Sequence, residues 1–444
     1  MAMNIKRPNG TEDVLPKDVY KWNTIEKIAR DTAESFGFSE IRIPTFENTE
    51  LFLRSVGETT DVVQKEMYTV KAKETEFTLR PEGTAGTIRA MLQNGLLNEA
   101  LPQKVFYMLS CFRHERPQAG RLREFHQFGV EMAGSPAPSA DAEVILLAKT
   151  LLDRLGLKNI ELHVNSIGCP ECRAKYHKAL REYFEPHKEE LCDTCKERLV
   201  KNPMRLLDCK SPICKEIGKD APVILDYLCD ECKDHFEQFK SYLAKLGVDF
   251  IVDPKIVRGL DYYTKTVFEF ITTEIGAQGT VCAGGRYDGL IEQLGGQHIP
   301  ALGFGMGFER LLLVMDKQGC EYLTPKKCDI YFATMGDAAL EKAMELVKGL
   351  REFGYRAEYD LMGRGVKAQM KYANKIGAVY TMVIGDNELN DGKARLKEME
   401  SGEEKEMLLN EKFTANFENE YFNKILDVID DENQSMFAFT GEDK

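Results

Sequence analysis

No stretch of this 444-residue sequence stays apolar long enough to cross a bilayer. The longest runs, such as RLLLVM at 310–315, fall far short of the ~20 residues that a spanning helix needs. The opening MAMNIKRPNGTEDV lacks the apolar centre of a secretory leader, so a cytoplasmic location without membrane partners is expected. Positive charge is also scarce overall. A formal net charge of -13 argues against a general nucleic-acid coat, while leaving room for a locally basic docking face. Phosphate-cradling loops are missing as well. There is no G-x-x-x-x-G-K-[ST], and GFGMGF from Gly303 lacks the sixth-position glycine of a dinucleotide fingerprint. Any nucleotide here must therefore be held by arginines, whose guanidinium grips two phosphate oxygens at once and stays protonated. Internal repeats and low-complexity segments are absent.

What is present is a soluble composition, 43% apolar and 30% charged, in a chain long enough for two or three cored domains. Trp22, Ile25, Ile28, Ala29, Ala33 and Phe36 recur at helical spacing, and SEIRIPTFE follows as a short strand that Pro44 closes. EMYTVK and EFTLRPE read as a hairpin, followed by a helix through TAGTIRAMLQ. KVFYMLSCFRHE and REFHQFGVEMAG read as paired strands, with a helix from about Ser139 to Leu155 and a strand at NIELHVNSIG. Residues 169–248 are helical, charged and cysteine-rich, the texture of an insertion. Strand character returns with VRGLDYYTKTVFEFITT, and ALGFGMGFERLLLVM reads as a glycine-rich strand entering a helix. From residue 323 to about 428 the pattern alternates strand and helix, a separate α/β domain. An acidic tail at 429–444 closes the sequence.

The chemistry concentrates in RHERPQAGRLREFHQFGVE, from Arg113 to Glu131. Arg113, Arg116, Arg121 and Arg123 fall within eleven residues of one another in an acidic chain. Strand periodicity puts Arg113 on the face of Tyr107 and Cys111, and puts Gln127 and Glu131 on one face of the second strand. An exposed hairpin whose arginines pair with Glu115 and Glu124 would show the same pattern. Two more stretches add to the first: RGLDYYTKTVFE, opening at Arg258, and the alternating glycines that lead to Arg310.

FRHE at 112–115, the glycine–arginine segment ending in Arg310 and the strand-closing Pro44 resemble the three signature motifs of class II aminoacyl-tRNA synthetases. TLRPEGTAG, RPQAGRLREFHQFGVE, RGLDYYTKTVFE and GGRYDGL together are similar to the histidyl-tRNA synthetase family, from Gly10 to about Leu426 outside the insertion. The resemblance implies an α+β fold with a six-stranded antiparallel catalytic sheet flanked by helices. It implies a catalytic domain over 1–322, a C-terminal anticodon-binding domain and a homodimer. It also implies histidine–tRNA ligase activity on histidine, ATP with Mg²⁺, and histidine tRNA. By position, Glu82 and Thr84 would meet the α-amino group of histidine, with Gln127 near its amino and carboxylate end. Glu131 and Tyr263 would read its imidazole, with Tyr262 and Tyr287 shaping the pocket. Arg113 and Arg258 would contact the α-phosphate and carboxylate, and Arg121 and Arg310 the γ-phosphate. The alternative is a non-catalytic relative of the regulatory subunit that controls ATP phosphoribosyltransferase. Such a chain would be expected to lack the C-terminal domain and parts of RGLDYYT, and both are present here.

Two features stand outside the catalytic motifs. The pairs Cys169/Cys172, Cys192/Cys195, Cys209/Cys214 and Cys229/Cys232 have zinc-like spacing. Two structural four-thiolate sites would use all eight, in a pairing the spacing leaves open; reduced, partly buried thiols are the other reading. Arg364, Lys367, Lys371 and Lys375 form a basic stripe at helical spacing, which serves either as a solvated face or as a tRNA-backbone contact. Arg116 and Arg123 are the corresponding tRNA candidates in the hairpin.

Overall fold

A computed structural model of the chain describes residues 5–56, 60, 62–209, 211–256, 258, 260–274 and 279–422. The expected acidic tail lies outside the described residues. Two compact units divide at Leu323/Thr324.

The first unit is built on one large sheet. Its spatial order is Ser39–Glu40, Gln103–Phe112, Glu124–Ala133, Ala301–Gly307, Thr280–Arg286, Thr264–Ile271, Glu161–Ser166 and Ile251–Val252. The six long strands pair antiparallel throughout, and the two-residue strands at either edge pair parallel.

Alternation along these strands sorts the residues by chemistry. Phe128, Val130, Leu302, Phe304, Met306, Phe268 and Phe270 point to one face and enter a single apolar cluster. That cluster is roofed by helices Val19–Ser35, Pro138–Arg154, Asp230–Lys245 and Phe308–Gln318. Helix Val19–Ser35 docks because Ile25, Ala29 and Ala33, spaced by four, are all fully buried. The intervening residues Gln127, Gly129, Glu131, Gly303, Gly305 and Gly307 line the other face.

SEIRIPTFE does not run as one strand. Ser39–Glu40 joins the edge of the large sheet, whereas Phe46–Asn48 joins a separate three-stranded sheet with Thr69–Ala72 and Thr75–Leu79. The break has a cause: Arg80 Nη1 donates to the Ile43 and Pro44 carbonyls at 2.8 and 2.9 Å, so these accept from a side chain instead of a neighbouring strand. Similarly, only Thr264–Ile271 of the RGLDYYTKTVFEFITT stretch is strand; the described residues among 258–263 precede it as a loop.

The 169–248 segment is helical, with helices Pro170–Phe184, Asp193–Lys201, Pro212–Ile217 and Asp230–Lys245. The second unit has a five-stranded sheet ordered Ala357–Tyr359, Ile330–Thr334, Tyr380–Ile384, Lys393–Glu398 and Glu404–Leu408. The first three strands are parallel and linked by helices Asp337–Glu352 and Val366–Lys375; the last two form an antiparallel hairpin.

Candidate active site

The open face of the large sheet is floored by glycine. Register puts Gly303 opposite Glu131, Gly305 opposite Gly129 and Gly307 opposite Gln127. A Cβ on Gly303 would overlap the Glu131 carboxylate and the Val130 carbonyl, and one on Gly305 would overlap the Gln127 amide. The GFGMGF pattern therefore serves both faces: Phe304 and Met306 fill the core while the glycines clear room for the polar residues next door. On the other side, Tyr107 pairs with Gly129 in register, and its ring fills the space that a side chain at Gly129 or Gly83 would take.

Glu131 is fully buried and accepts hydrogen bonds from Tyr107 Oη at 3.0 Å and from Tyr287 Oη. Burial pushes its carboxyl up to about 8, with the two phenols and Thr84 only partly offsetting that penalty. Glu82 is buried as well, and its pKa is raised by burial against the pull of two backbone donors, Thr84 N–H at 2.7 Å and Ala85 N–H at 2.9 Å. It thereby tethers the start of helix Thr84–Gln93. Gln127 Oε1 accepts from Gly83 N–H at 3.2 Å. Tyr262, Tyr263 and Tyr287 form a triangle of buried rings with centroids 4.7, 5.4 and 6.3 Å apart. Two buried carboxylates among phenols make a compartment suited to a small cationic or hydrogen-donating ligand.

Arginines adjoin it. Arg113 Nε donates to the Pro81 carbonyl at 2.8 Å and its guanidinium stacks 5.1 Å from the Phe125 ring, leaving its terminal nitrogens for a ligand. Arg310 Nη1 donates to the Thr280 carbonyl at 2.6 Å. Its pKa is pulled down to about 10, first by burial and then by Arg121 and Arg113, with Glu115 opposing. Three guanidinium groups that repel one another form a ready site for an anion. Arg121 rests on Glu115 at 3.1 Å, an ion pair of the ordinary hairpin kind. Arg258 donates to Glu269 and lies 5.5 Å from the Tyr263 ring. Burial works against its charge, but Glu269 and Tyr263 outweigh it and hold the pKa above the usual arginine value.

The proposed tRNA contacts are placed differently from one another. Arg116 is exposed. Arg123 is engaged internally, with Nε on the Glu115 carbonyl at 3.2 Å and Nη1 on the Asn9 carbonyl at 3.4 Å. Lys367, Lys371 and Lys375 are exposed on helix Val366–Lys375. Arg364 is half-buried, bonded to Asp360 at 2.6 Å and stacked 4.2 Å from Tyr372.

The eight cysteines sort into two groups: Cys169, Cys172, Cys229 and Cys232, and Cys192, Cys195, Cys209 and Cys214. Sulfur–sulfur separations of 3.6 Å (Cys169–Cys172), 4.0 Å (Cys169–Cys229) and 3.8 Å (Cys192–Cys209) bracket the ~3.8 Å edge of a tetrahedron with ~2.3 Å zinc–sulfur bonds. Cys169, Cys192 and Cys229 each stand at the N-cap of a helix. Backbone N–H groups of Cys229 and Cys192 donate to the sulfurs of Cys172 and Cys214 at 3.1 and 3.3 Å. The donor set fits Zn²⁺.

Three positions that contact the candidate site residues carried no role in the sequence reading: Tyr107, Gly83 and Glu269. Tyr107 had a detectable signal, a phenol two residues from Leu109 on the face that continues to Arg113. Glu269 had none, because its partner Arg258 lies in the loop preceding its strand.

Comparison with known proteins places this geometry. The family model described as "Histidyl-tRNA synthetase" matches residues 10–185 and 214–311, and "Anticodon binding domain" matches 329–416. The histidine–tRNA ligase of Clostridium novyi (strain NT) is 58% identical over 409 residues, 92% of this chain and 97% of its own. That of Acetivibrio thermocellus is 54% identical over 408 residues, 92% and 98% of the two chains. The crystal structure of apo histidyl-tRNA synthetase from S. aureus superposes with a TM-score of 0.80 at 39% identity, covering 93% of this chain and 99% of that one.

Proposed function

Because this chain belongs to the histidyl-tRNA synthetase family, we propose that the buried carboxylate compartment binds histidine and the adjoining arginines bind ATP, so that the sheet face performs histidine–tRNA ligation. The observation that carries this assignment is the contiguity of two unlike compartments: of the residues flanking Glu82, Pro81 accepts from Arg113 and Gly83 donates to Gln127, which shares its strand face with Glu131. A zwitterionic amino acid laid across that boundary puts its ammonium group by Glu82 and Gln127 and its carboxylate by Arg113 and Arg258. Its imidazole falls to Glu131 and Tyr263, with Tyr262 and Tyr287 as walls.

The carboxylate is already anionic, so activation needs no general base. One carboxylate oxygen attacks the α-phosphorus, the bond to the β-phosphate oxygen breaks, and pyrophosphate leaves. The barrier comes from repulsion between anions and from charge growing on the phosphoryl oxygens. Arg113 and Arg258 align the reacting groups, while Arg121 and Arg310 hold the γ-phosphate. A ribose hydroxyl at the tRNA 3′ end then displaces AMP from the carbonyl carbon.

Mg²⁺ typically takes one or two carboxylates plus substrate phosphates, and Glu115 and Glu269 are the carboxylates beside these arginines. When bound, it supplies further charge neutralisation at the phosphates. Zinc is assigned to the two cysteine groups as a structural ion, since they stand apart from the reacting groups. The exposed Lys367, Lys371 and Lys375, with Arg364 and the hairpin's Arg116 and Arg123, are assigned to tRNA. The same reading makes the protein a cytoplasmic homodimer, with catalytic domain 1–322 and anticodon-binding domain 323–428. The half-exposed Phe46 and Val70 of the small sheet support an apolar dimer face.

The test is ATP–pyrophosphate exchange run across the twenty amino acids. Histidine alone should support it; exchange with another amino acid, or with none, would overturn the assignment.

A further inference from the structure

The insertion touches the loop that carries Arg258, Tyr262 and Tyr263, and it does so by two separate handles. The first leaves the Cys169/Cys172/Cys229/Cys232 group. Arg173, one residue beyond Cys172, donates from Nη1 to the Tyr263 carbonyl at 3.0 Å. Beside it, Lys265 N–H bonds to the Gly168 carbonyl at 3.0 Å, and Lys265 Nζ reaches Glu231, between Cys229 and Cys232, at 2.8 Å. The second handle comes from the segment between Cys195 and Cys209. Asn202 Nδ2 donates to Asp261 Oδ1 at 3.1 Å, and Arg205 donates to the same oxygen from Nε at 3.2 Å and Nη2 at 2.9 Å.

The handles meet around a cavity of about 80 Å³, lined by Arg173, His177, Asn202, Arg258, Asp261 and Tyr263. Among the described residues, three buried polar atoms there have no protein partner: Arg258 Nε, His177 Nε2 and Asn202 Oδ1. Tyr262, Tyr263 and Leu260 pack the loop into an apolar cluster, whereas its Arg258 and Asp261 side faces this cavity, whose lining also includes Ile167 and Met204. On that side the handles supply the loop's polar anchors.

Resting on the zinc and histidine assignments above, we propose that the two zinc-held knots brace the histidine-reading loop, one through Arg173 and the other through Asn202 and Arg205. Each ion binds four cysteines as thiolates, releasing their protons. The first fixes the start of helix Pro170–Phe184, which carries Arg173, and the second ties together the two ends of the Cys195–Cys209 segment, which carries Asn202 and Arg205. Residues 186–213, which hold Cys192, Cys195, Cys209, Asn202 and Arg205, fall between the two stretches matched by the family model. The second brace is therefore a feature of this chain that the family description does not supply. Arg173, Asn202 and Arg205 act through Tyr263 and Asp261, which makes them positioning residues.

Zinc content by elemental analysis and histidine affinity by equilibrium dialysis of the full-length chain test this together. Two zinc ions per chain are expected, one for each cysteine group. Cys232→Ser and Cys195→Ser should each lose one ion and weaken histidine binding at least about tenfold, the scale of losing a positioning hydrogen bond between charged groups. The KM for ATP in pyrophosphate exchange should change less than the histidine affinity, because Arg121 and Arg310, assigned to the γ-phosphate, are on other elements. Arg205→Gln and Asp261→Asn cut the second handle without touching a thiolate. They should keep both ions and still weaken histidine binding about tenfold, with Arg205→Lys recovering part of the loss. Protein purified without added metal that contains no zinc would overturn the metal assignment. Unchanged histidine affinity in Arg205→Gln and Asp261→Asn, or after zinc is lost from either group, would overturn the brace. Failure of the parent protein to bind histidine would instead overturn the functional assignment.

Discussion

Arg258 commits one terminal nitrogen to Glu269 and keeps Nε without a partner among the described residues. An imidazole is shorter, has no fork, and is neutral over much of the working pH range. Arg258→His should therefore lower histidine-dependent pyrophosphate exchange at least about a hundredfold, the scale set by losing one preorganised electrostatic donor. Activity within a few-fold of the parent would place Arg258 outside the reaction. Glu131 gives a pH-dependent prediction. Its folded pKa of about 8 lies above the ordinary 4.5, so the folded ligand-free protein holds a proton that the unfolded chain has released in that interval. Its contribution to stability is complete below about pH 4.5 and is lost as pH rises through about 8. Across that window the parent should lose melting temperature relative to Glu131→Gln, which cannot titrate. The same variant should raise the KM for histidine far more than that for ATP. Parallel melting curves, or equal losses of both substrates, would remove Glu131 from the imidazole site.

Among elements, strand Ala301–Gly307 decides most. A new Cβ at Gly305 meets the amide end of Gln127, a flexible side chain that can swing away. At Gly303 it meets the Val130 carbonyl as well as Glu131, and backbone in a paired strand cannot yield without separating the sheet. Gly303→Ala should therefore cost about 1–3 kcal/mol of stability and most histidine affinity, with Gly305→Ala the milder of the two. Thermal melts alongside histidine binding check the order, and equal effects would contradict the glycine floor. The sequence showed this strand as alternating glycines, because a period of two is written directly into it. It did not show why they alternate: the reason is the register with Glu131 and Gln127 on the neighbouring strand. Splitting of SEIRIPTFE into two sheets was similarly out of reach, since Arg80, which takes the Ile43 and Pro44 carbonyls, is more than thirty residues away.

At the scale of the whole molecule, the proposed activation site and the basic stripe belong to different compact units. Lys367→Ala, Lys371→Ala and Lys375→Ala together should leave pyrophosphate exchange unchanged while weakening tRNA charging. Each lysine that contacts a phosphate contributes about 0.7–0.9 to the slope of log affinity against log salt, so the triple variant should bind tRNA with a slope shallower by about 2. Exposed lysine-to-alanine changes on a good helix cost little stability. An unaltered slope would return these residues to an ordinary solvated face. Arg364 is left out of the set because its bond to Asp360 and its stacking on Tyr372 give it a structural task.

The sequence by itself determined the two-part architecture and the motifs of the family, because strand alternation, helical spacing and motif identity are local properties. Only the tertiary structure decided which cysteines join which: Cys169 and Cys172 with Cys229 and Cys232 across some sixty residues, enclosing the other four. It alone placed Tyr107 against Glu131, Glu269 under Arg258, and Asn202 and Arg205 on Asp261. Those contacts depend on how strands register and how the insertion folds back. Both follow from burying apolar faces over the whole chain, and no local pattern records the outcome.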